Sequence, residues 1–385
     1  MNILISLILK YICSIHTLRH YFILLCLALV LNIQSFGQQN NYIDSLVNLA
    51  KKCTIDTQKV DLLNEISIAW QSENIEKAIE SAKEAWSVSK RIDFERGLGE
   101  SSLNLGKGFE MISDYKKAQD HFENAIKSFE KTGNTWGIGE SEKHIGFLFE
   151  YQGQYDKALN HYLSALEKME EAEDIQGIAS CLNCLGGIFY FQNDFDNALT
   201  YFLRTLEKTK EIGNKFATAT TLNNIGLAYI GMSESIEIDS ITRNSFLDKA
   251  LPNIQQALAL NKEIGHNYNI AQNLTNIGKI YVNKENYKDA IDALFEALKI
   301  QEDLGDQKEI SRTLANIGFS YYRISNYSEA LLYLFKSLKL SREIGNKEGI
   351  KYAFDVISEV YYAKGDYKSA YNNFREYSQC KDSLV

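Results

Sequence analysis

The chain repeats itself every 40 residues, and this period constrains the fold more than any local preference does. Asn64, Asn104, His144, Cys184, Asn224, Asn276, Asn316 and Val356 share one register position, each 40 residues after the last except for a single step of 52. Two residues beyond them stand Ile66, Gly106, Gly146, Gly186, Gly226, Gly278, Gly318 and Ser358. Twelve residues further come Ala78, Ala118, Ala158, Ala198, Ala290, Ala330 and Ala370, with Ala250 displaced in the repeat that holds the longer step. Four positions after each alanine is a large apolar residue, Phe122, Tyr162, Phe202, Ile254, Leu294, Leu334 or Phe374; only the first repeat breaks this, with Ala82. A period of this length means units that each leave an apolar flank for the next to cover, so that stability becomes a chain of nearest-neighbour interfaces.

The spacing within a unit is that of paired helices. Leu222, Ile225, Gly226 and Tyr229 recur at three and four residues and line one face of a first helix. The glycine and the alanine let two helix backbones approach, and the large residue fills the space beside them. Short turns at Gly153, Asn286 and Gly365 part the two helices, while Gly133-Asn134, Gly213-Asn214, Gly305-Asp306 and Gly345-Asn346 part successive repeats. A single proline in 385 residues leaves little of the turn punctuation that β-sandwiches and barrels need. The expected fold class is all-α.

On these residues the register resembles the tetratricopeptide repeat in a forty-residue form. Leu314, Ile317, Gly318, Tyr321, Ala330, Leu334 and Ser337 follow that family's usual order. The proline that often closes its second helix is absent, and the Gly-Asn or Gly-Asp turn stands in its place. The resemblance implies a right-handed α-solenoid superhelix of about eight helix-turn-helix repeats, with a concave groove that takes a peptide or protein partner.

The expected organisation is a signal peptide over residues 1–37, an N-terminal capping helix within 38–58, and eight repeats over 59–385. A surface-loop insertion is expected at about 232–244 in repeat five. The leader has no acid, carries Lys10 and Arg19, and runs from Tyr21 to Leu31 without a polar residue before the small Ser35 and Gly37. Cleavage near Gly37 and Gln38, and export to the periplasm or medium, are the expectation; an uncleaved anchor fits less well because the apolar run is too short to span a bilayer.

The net charge of −9, from 41 basic and 50 acidic residues, offers no footprint for phosphate neutralisation and argues against a nucleic-acid partner. Phosphate-binding, nucleophile-elbow, zinc-protease and dinucleotide-binding motifs are missing. Gly97 with Gly99 and Gly137 with Gly139 resemble phosphate loops only superficially, and are expected to be glycines that allow the turn at repeat junctions. Cys181 and Cys184 form a lone pair within a helix, and His121 and His161 occupy equivalent positions 40 residues apart, so both read as packing residues and not as metal ligands. No enzyme activity, cofactor or metal is expected.

The remaining face of each first helix is where a partner would lie. Asparagine recurs on it as Asn64, Asn104, Asn224, Asn276 and Asn316, although it is a mediocre helix former. An amide offers donors and an acceptor that suit an extended backbone, but it could equally bond to the neighbouring repeat and fix its orientation. Phe319, Tyr322 and Arg323, with Arg312, Tyr352 and Tyr362, add the aromatic and arginine mixture typical of binding hot spots. The leading reading is a non-catalytic exported scaffold that captures a peptide or protein segment. The alternative follows from a resemblance, over Asp56 to Asn64 and Tyr371 to Leu384, to the exported sensor arrays of Bacteroidota-type signalling proteins. It implies a sensor portion associated with a membrane signalling protein whose output domain lies elsewhere. A cytosolic regulator of the phosphatase type conflicts with the leader.

Overall fold

A recurring two-residue joint cuts the chain into helices. Its first residue is left-handed: φ at Asp93, Gly133, Glu173, Gly213, Gly265, Gly305 and Gly345 lies between 53° and 72°. Except at Phe94, the side chain of its second residue caps the next helix. At Gly133-Asn134 the amide of Asn134 donates back to the carbonyl of Phe129 at 2.9 Å, while its Oδ1 accepts from the amide of Gly137 at 2.9 Å. One dipeptide thus satisfies orphan carbonyls of one helix and an orphan N–H of the next. The turns inside the hairpins share the left-handed residue, with positive φ at Ser113, Gly153, Asn193, Glu285, Ser325 and Gly365, and the cap follows it except at Gln154 and Asn286.

The computed structural model describes residues 42–235 and 238–382, so the expected signal peptide lies outside the described residues. Every regular element among them is an α-helix. The chain divides into two compact units, one ending at Ala172 and the other beginning at Glu173. The first unit holds α1 (residues 42–52), α2 (Asp56–Trp70), α3 (Ile75–Arg91), α4 (Glu95–Met111), α5 (Tyr115–Thr132), α6 (Thr135–Tyr151) and α7 (Tyr155–Glu171). The second begins with α8 (Ile175–Phe191), α9 (Phe195–Glu211), α10 (Lys215–Ser233), α11 (Ser240–Ile264) and α12 (Asn267–Asn283). It continues through α13 (Tyr287–Leu304), α14 (Gln307–Arg323), α15 (Tyr327–Glu343), α16 (Lys347–Ala363) and α17 (Tyr367–Asp382). Within each unit an even-numbered helix pairs with the odd-numbered helix after it, and successive pairs stack into an all-α solenoid. In the first unit, Leu46 and Ala50 of α1 join Val60 and Leu63 of α2 and Ala85 of α3 in one buried cluster.

Close approach at the glycine position holds each pair together. A Cβ on Gly318 would stand 2.7 Å from Cγ of Leu334 and 3.1 Å from the carbonyl of Ala330, so no larger residue fits without displacement. The same contact joins Gly106 to Phe122, Gly146 to Tyr162, Gly186 to Phe202, Gly226 to Ile254 and Gly278 to Leu294. In the first repeat the sizes are exchanged, with Ile66 and Ala82 both buried. A ring stack recurs beside it at a separation of twelve residues: Phe109 on His121, Phe149 on His161, Phe189 on Tyr201 and Tyr321 on Tyr333 are each within 11° of parallel. His121 and His161 are therefore stacking partners, and burial pushes the His121 imidazole below its ordinary pKa.

The insertion in repeat five differs from the loop expected over 232–244. Helix α10 runs to Ser233, and Asp239 accepts from the amides of Ile241 and Thr242, each at 2.8 Å, to start α11 at Ser240. Most of the extra residues lengthen α11 to 25 residues against 17 in α9, because Asp239 supplies a cap that permits an earlier start. The guanidinium Nε of Arg243 donates to the carbonyl of Ser233 at 3.1 Å and ties the two helix ends together.

Gly318→Ala should lower stability by about 1–3 kcal/mol through overpacking against Leu334. Ser325→Gly should raise it by about 1 kcal/mol by relieving a left-handed non-glycine residue. Chemical denaturation midpoints of the two variants, moving in opposite directions, check both.

Candidate functional site

The first helices carry the asparagine row, and the structure shows what holds each amide. In the first unit Nδ2 of Asn104 donates to Oδ1 of Asn64 at 3.3 Å, and Asn64 donates to Glu100 at 3.4 Å. In the second, Asn224 donates to Asn183 at 3.0 Å and Asn276 to Asn223 at 3.0 Å. Behind them Asn261 donates to Asn273 at 2.8 Å, and Asn273 to Asn223 at 2.9 Å. Four of the five ladder amides therefore bridge one repeat to the next. Asn316 differs: its half-buried side chain makes no hydrogen bond to other described residues.

Asn316 opens into a cavity of about 680 Å³ lined by α12, α14 and α16. Its walls include Asn276, Lys279 and Val282 from α12, Arg312, Ala315 and Phe319 from α14, and Tyr352 from α16. These are the groove positions that the helical period assigns to repeats six, seven and eight. The hydroxyls of Thr275, Ser311 and Ser337 also line it. Ser337 Oγ donates to the carbonyl of Ser311 at 2.8 Å, and Ser311 Oγ is 2.6 Å from Ser341 Oγ. Crowding by the surrounding protein and the nearby Glu359 and Asp355 push the Tyr352 phenol up to about 12, so it stays protonated across the physiological range.

Of the residues expected at the site, Asn276, Asn316 and Phe319 meet at this cavity. Tyr322 and Arg323 stand on the next turn of α14: the Phe319 and Tyr322 ring centroids are 6.3 Å apart, and Arg323 lies 5.7 Å from the Phe319 ring and 4.9 Å from that of Tyr287. Asn224 is on α10 of the same unit, tied to α8. Asn64 and Asn104 belong to the first unit and are buried in their own inter-repeat bonds.

A position that the sequence reading passed over explains why the cavity exists. Four residues before each left-handed joint stand Ser89, Phe129, Met169, Thr209, Asn261, Gln301 and Ser341, all buried. In the first unit Phe129 fills the seam: Cβ atoms on Gly99 and Gly137 would lie 2.6 and 2.5 Å from its ring. Gly97, Gly99, Gly137 and Gly139 are thus not turn residues; they lie inside α4 and α6, where Gly97 and Gly137 face side chains of the preceding hairpin and Gly99 and Gly139 face the partner helix of their own. In the second unit the equivalent residue beside α14 and α16 is the small Ser341, and the space stays open above polar groups. The 40-residue period would have exposed this contrast in the sequence.

In the first unit the groove face is occupied by ion pairs. Glu140 accepts from Lys107 at 2.9 Å and Lys143 at 2.6 Å. His144, at the asparagine position, has Nδ1 2.7 Å from Glu110 and Nε2 3.4 Å from Glu140, with its ring stacked on Phe122. Burial alone would raise the Glu140 carboxyl, but the His144 hydrogen bond and the two lysine charges outweigh it and hold it well below the ordinary range. Cys181 and Cys184 lie one turn apart on α8, Cys181 buried. Among the described residues no group of three or more His, Cys, Asp or Glu could hold a metal ion.

Known proteins with this arrangement are tetratricopeptide repeat proteins. Models of the tetratricopeptide repeat match residues 137–211 and 271–304. The quorum sensor NprR from B. thuringiensis, in its apo form, is 13% identical over 90% of this chain and 99% of its own, with a TM-score of 0.62. A Rap protein complexed with competence and sporulation factor is 14% identical over 90% of this chain and 98% of its own, at 0.54. A signal transduction ATPase with a tetratricopeptide repeat sensor, from Pyrococcus horikoshii, is 16% identical over 84% of this chain and 53% of its own, at 0.60. No curated protein matches the chain in sequence. The chain thus carries tetratricopeptide repeats, and its all-α solenoid fold is shared with these structures.

Glu140→Gln should cost about 1–3 kcal/mol, because Lys107, Lys143 and His144 lose a shared partner. A depressed carboxyl stabilises the fold above the ordinary glutamate value of 4.5, and this contribution is lost as pH falls below it. Denaturation at a series of pH values should show the wild-type advantage over the variant full at neutral pH and shrinking in acid.

Proposed function

We propose that the protein is an exported, non-catalytic tetratricopeptide scaffold that holds a peptide or protein segment in the groove of repeats six to eight. The observation that carries this reading is the cavity of about 680 Å³ where Asn316 presents an unengaged amide and which Phe319 and the protonated Tyr352 also line. Both amide donors and the acceptor of Asn316 are available to an extended backbone, whatever its side chains. Phe319 supplies apolar area of the kind that anchors interfaces. Asn276 contributes its Oδ1, since its Nδ2 is given to Asn223. The other asparagines support the site indirectly by fixing the angle between repeats.

Export rests on residues 1–37: a positively charged start, an apolar run of about eleven residues and small residues at the cleavage point. A sensor portion that reports to a separate membrane signalling protein is the second reading. It is favoured by the fold shared with proteins described as a quorum sensor and as carrying a tetratricopeptide repeat sensor. Both readings use the same groove.

Pull-down from the exported fraction, followed by mass spectrometry, tests the groove. Asn316→Ala with Phe319→Ala should reduce partner recovery roughly tenfold or more, while circular dichroism shows the variant still folded at the temperature of the assay. Asn276→Ala should instead lower stability by about 1 kcal/mol, since it breaks a buried inter-repeat bond. Equal recovery by the groove variant would overturn the reading. For export, the intact mass of the secreted or periplasmic protein should correspond to a chain beginning near Gln38.

A further inference from the structure

The groove face continues along α16 as Tyr352, Asp355, Glu359 and Tyr362, spaced so that all four share one stripe. On α14, Phe319 and Tyr322 pack against the same cluster of buried residues, which includes Phe354, Val356 and Ile357 of α16. The stripe therefore places two carboxylates between aromatic rings, next to the cavity that Tyr352 and Phe319 line.

Neither carboxylate is neutralised. Lys351 is 2.8 Å from Glu348. Arg323 is held over the rings of Tyr287 and Phe319, and lies 3.6 Å from Glu285. Among the described residues Asp355 and Glu359 make no ion pair and no side-chain hydrogen bond. Partial burial pushes both carboxyls upward, Glu359 further by the charge of Asp355, and neither Lys351 nor Arg323 reverses this. The cavity's own cations are differently placed: Lys279 lies 2.8 Å from Glu234, Arg312 pairs with Glu309, and Lys308 at the rim has no ion pair among the described residues.

Building on the groove reading above, we propose that the segment held in repeats six to eight is basic, and that it seats a lysine or arginine side chain between Asp355 and Glu359 with its stem across Tyr352. A cation there gains two unpaired, partly desolvated carboxylates and aromatic faces on either side, an arrangement that favours ammonium and guanidinium groups over neutral or acidic ones. An acidic side chain would meet like charge along the whole stripe and could turn only to Lys308.

Selection of a phage-displayed library of random dodecapeptides on the full chain tests this, with fluorescein-labelled copies of the enriched peptides used for titration. The expected result is enrichment of lysine or arginine, and a loss of affinity of roughly tenfold in Asp355→Asn with Glu359→Gln, a near-isosteric pair whose helicity and melting temperature should match the wild type. Peptides that lack basic residues, or that the carboxamide variant still binds at full strength, would overturn the proposal. If those peptides were lost with Asn316→Ala and Phe319→Ala, the groove reading would stand without it. If no enriched peptide depended on either pair of substitutions, both readings would fall together.

Discussion

Everything in this molecule depends on how closely two helices of one hairpin can approach. A missing Cβ at Gly106, Gly146, Gly186, Gly226, Gly278 or Gly318 is filled from the partner helix by Phe122, Tyr162, Phe202, Ile254, Leu294 or Leu334. Interiors pack at crystal-like density, so this single exchange of volume sets the spacing of the pair and the direction in which its other faces point. The first repeat reaches the same result with sizes reversed, Ile66 opposite the small Ala82 in register, which shows that the summed volume matters and not the identity of either residue. Once the pairs are fixed, the remaining face of each first helix becomes a surface shared by successive repeats.

That surface is used differently in the two units. In the first, Phe129 fills the seam between hairpins, and the exposed side is tied by Glu140, Lys107, Lys143, His144 and Glu110 into a partly buried charge network. Such a network costs desolvation and returns specificity of register more than net stability. In the second unit small and polar residues take the seam positions, the hydroxyls of Ser311 and Ser337 floor an open space, and Asp355 and Glu359 on α16 make no ion pair among the described residues. The open space therefore follows from what one seam residue leaves unfilled.

Much of this was legible in the sequence because glycine, alanine and the large residue recur in strict register, and each answers a steric demand that few other residues meet. The Gly-Asn and Gly-Asp joints were equally readable, since a left-handed residue followed by a cap has one physical use. The fate of the asparagines was not: an amide satisfies a neighbour's amide or a ligand's backbone with the same atoms, and only coordinates separate Asn104 and Asn276, which are engaged, from Asn316, which is not. Gly97, Gly99, Gly137 and Gly139 resemble turn glycines in the sequence because the groups that they accommodate, such as the Phe129 ring at Gly99 and Gly137, belong to other helices. The insertion reads as a loop because it interrupts the period, whereas Asp239 starts a helix within it.

The joints between repeats, alike in backbone form, have an evolutionary corollary. Because the left-handed residue and its cap recur at the same phase, unequal crossing-over between any two equivalent points inserts or deletes a whole unit without disturbing its borders, and nearest-neighbour stacking lets the lengthened or shortened array fold. Groove chemistry can then diverge cassette by cassette, with selection acting on a few inward side chains while the frame is inherited intact.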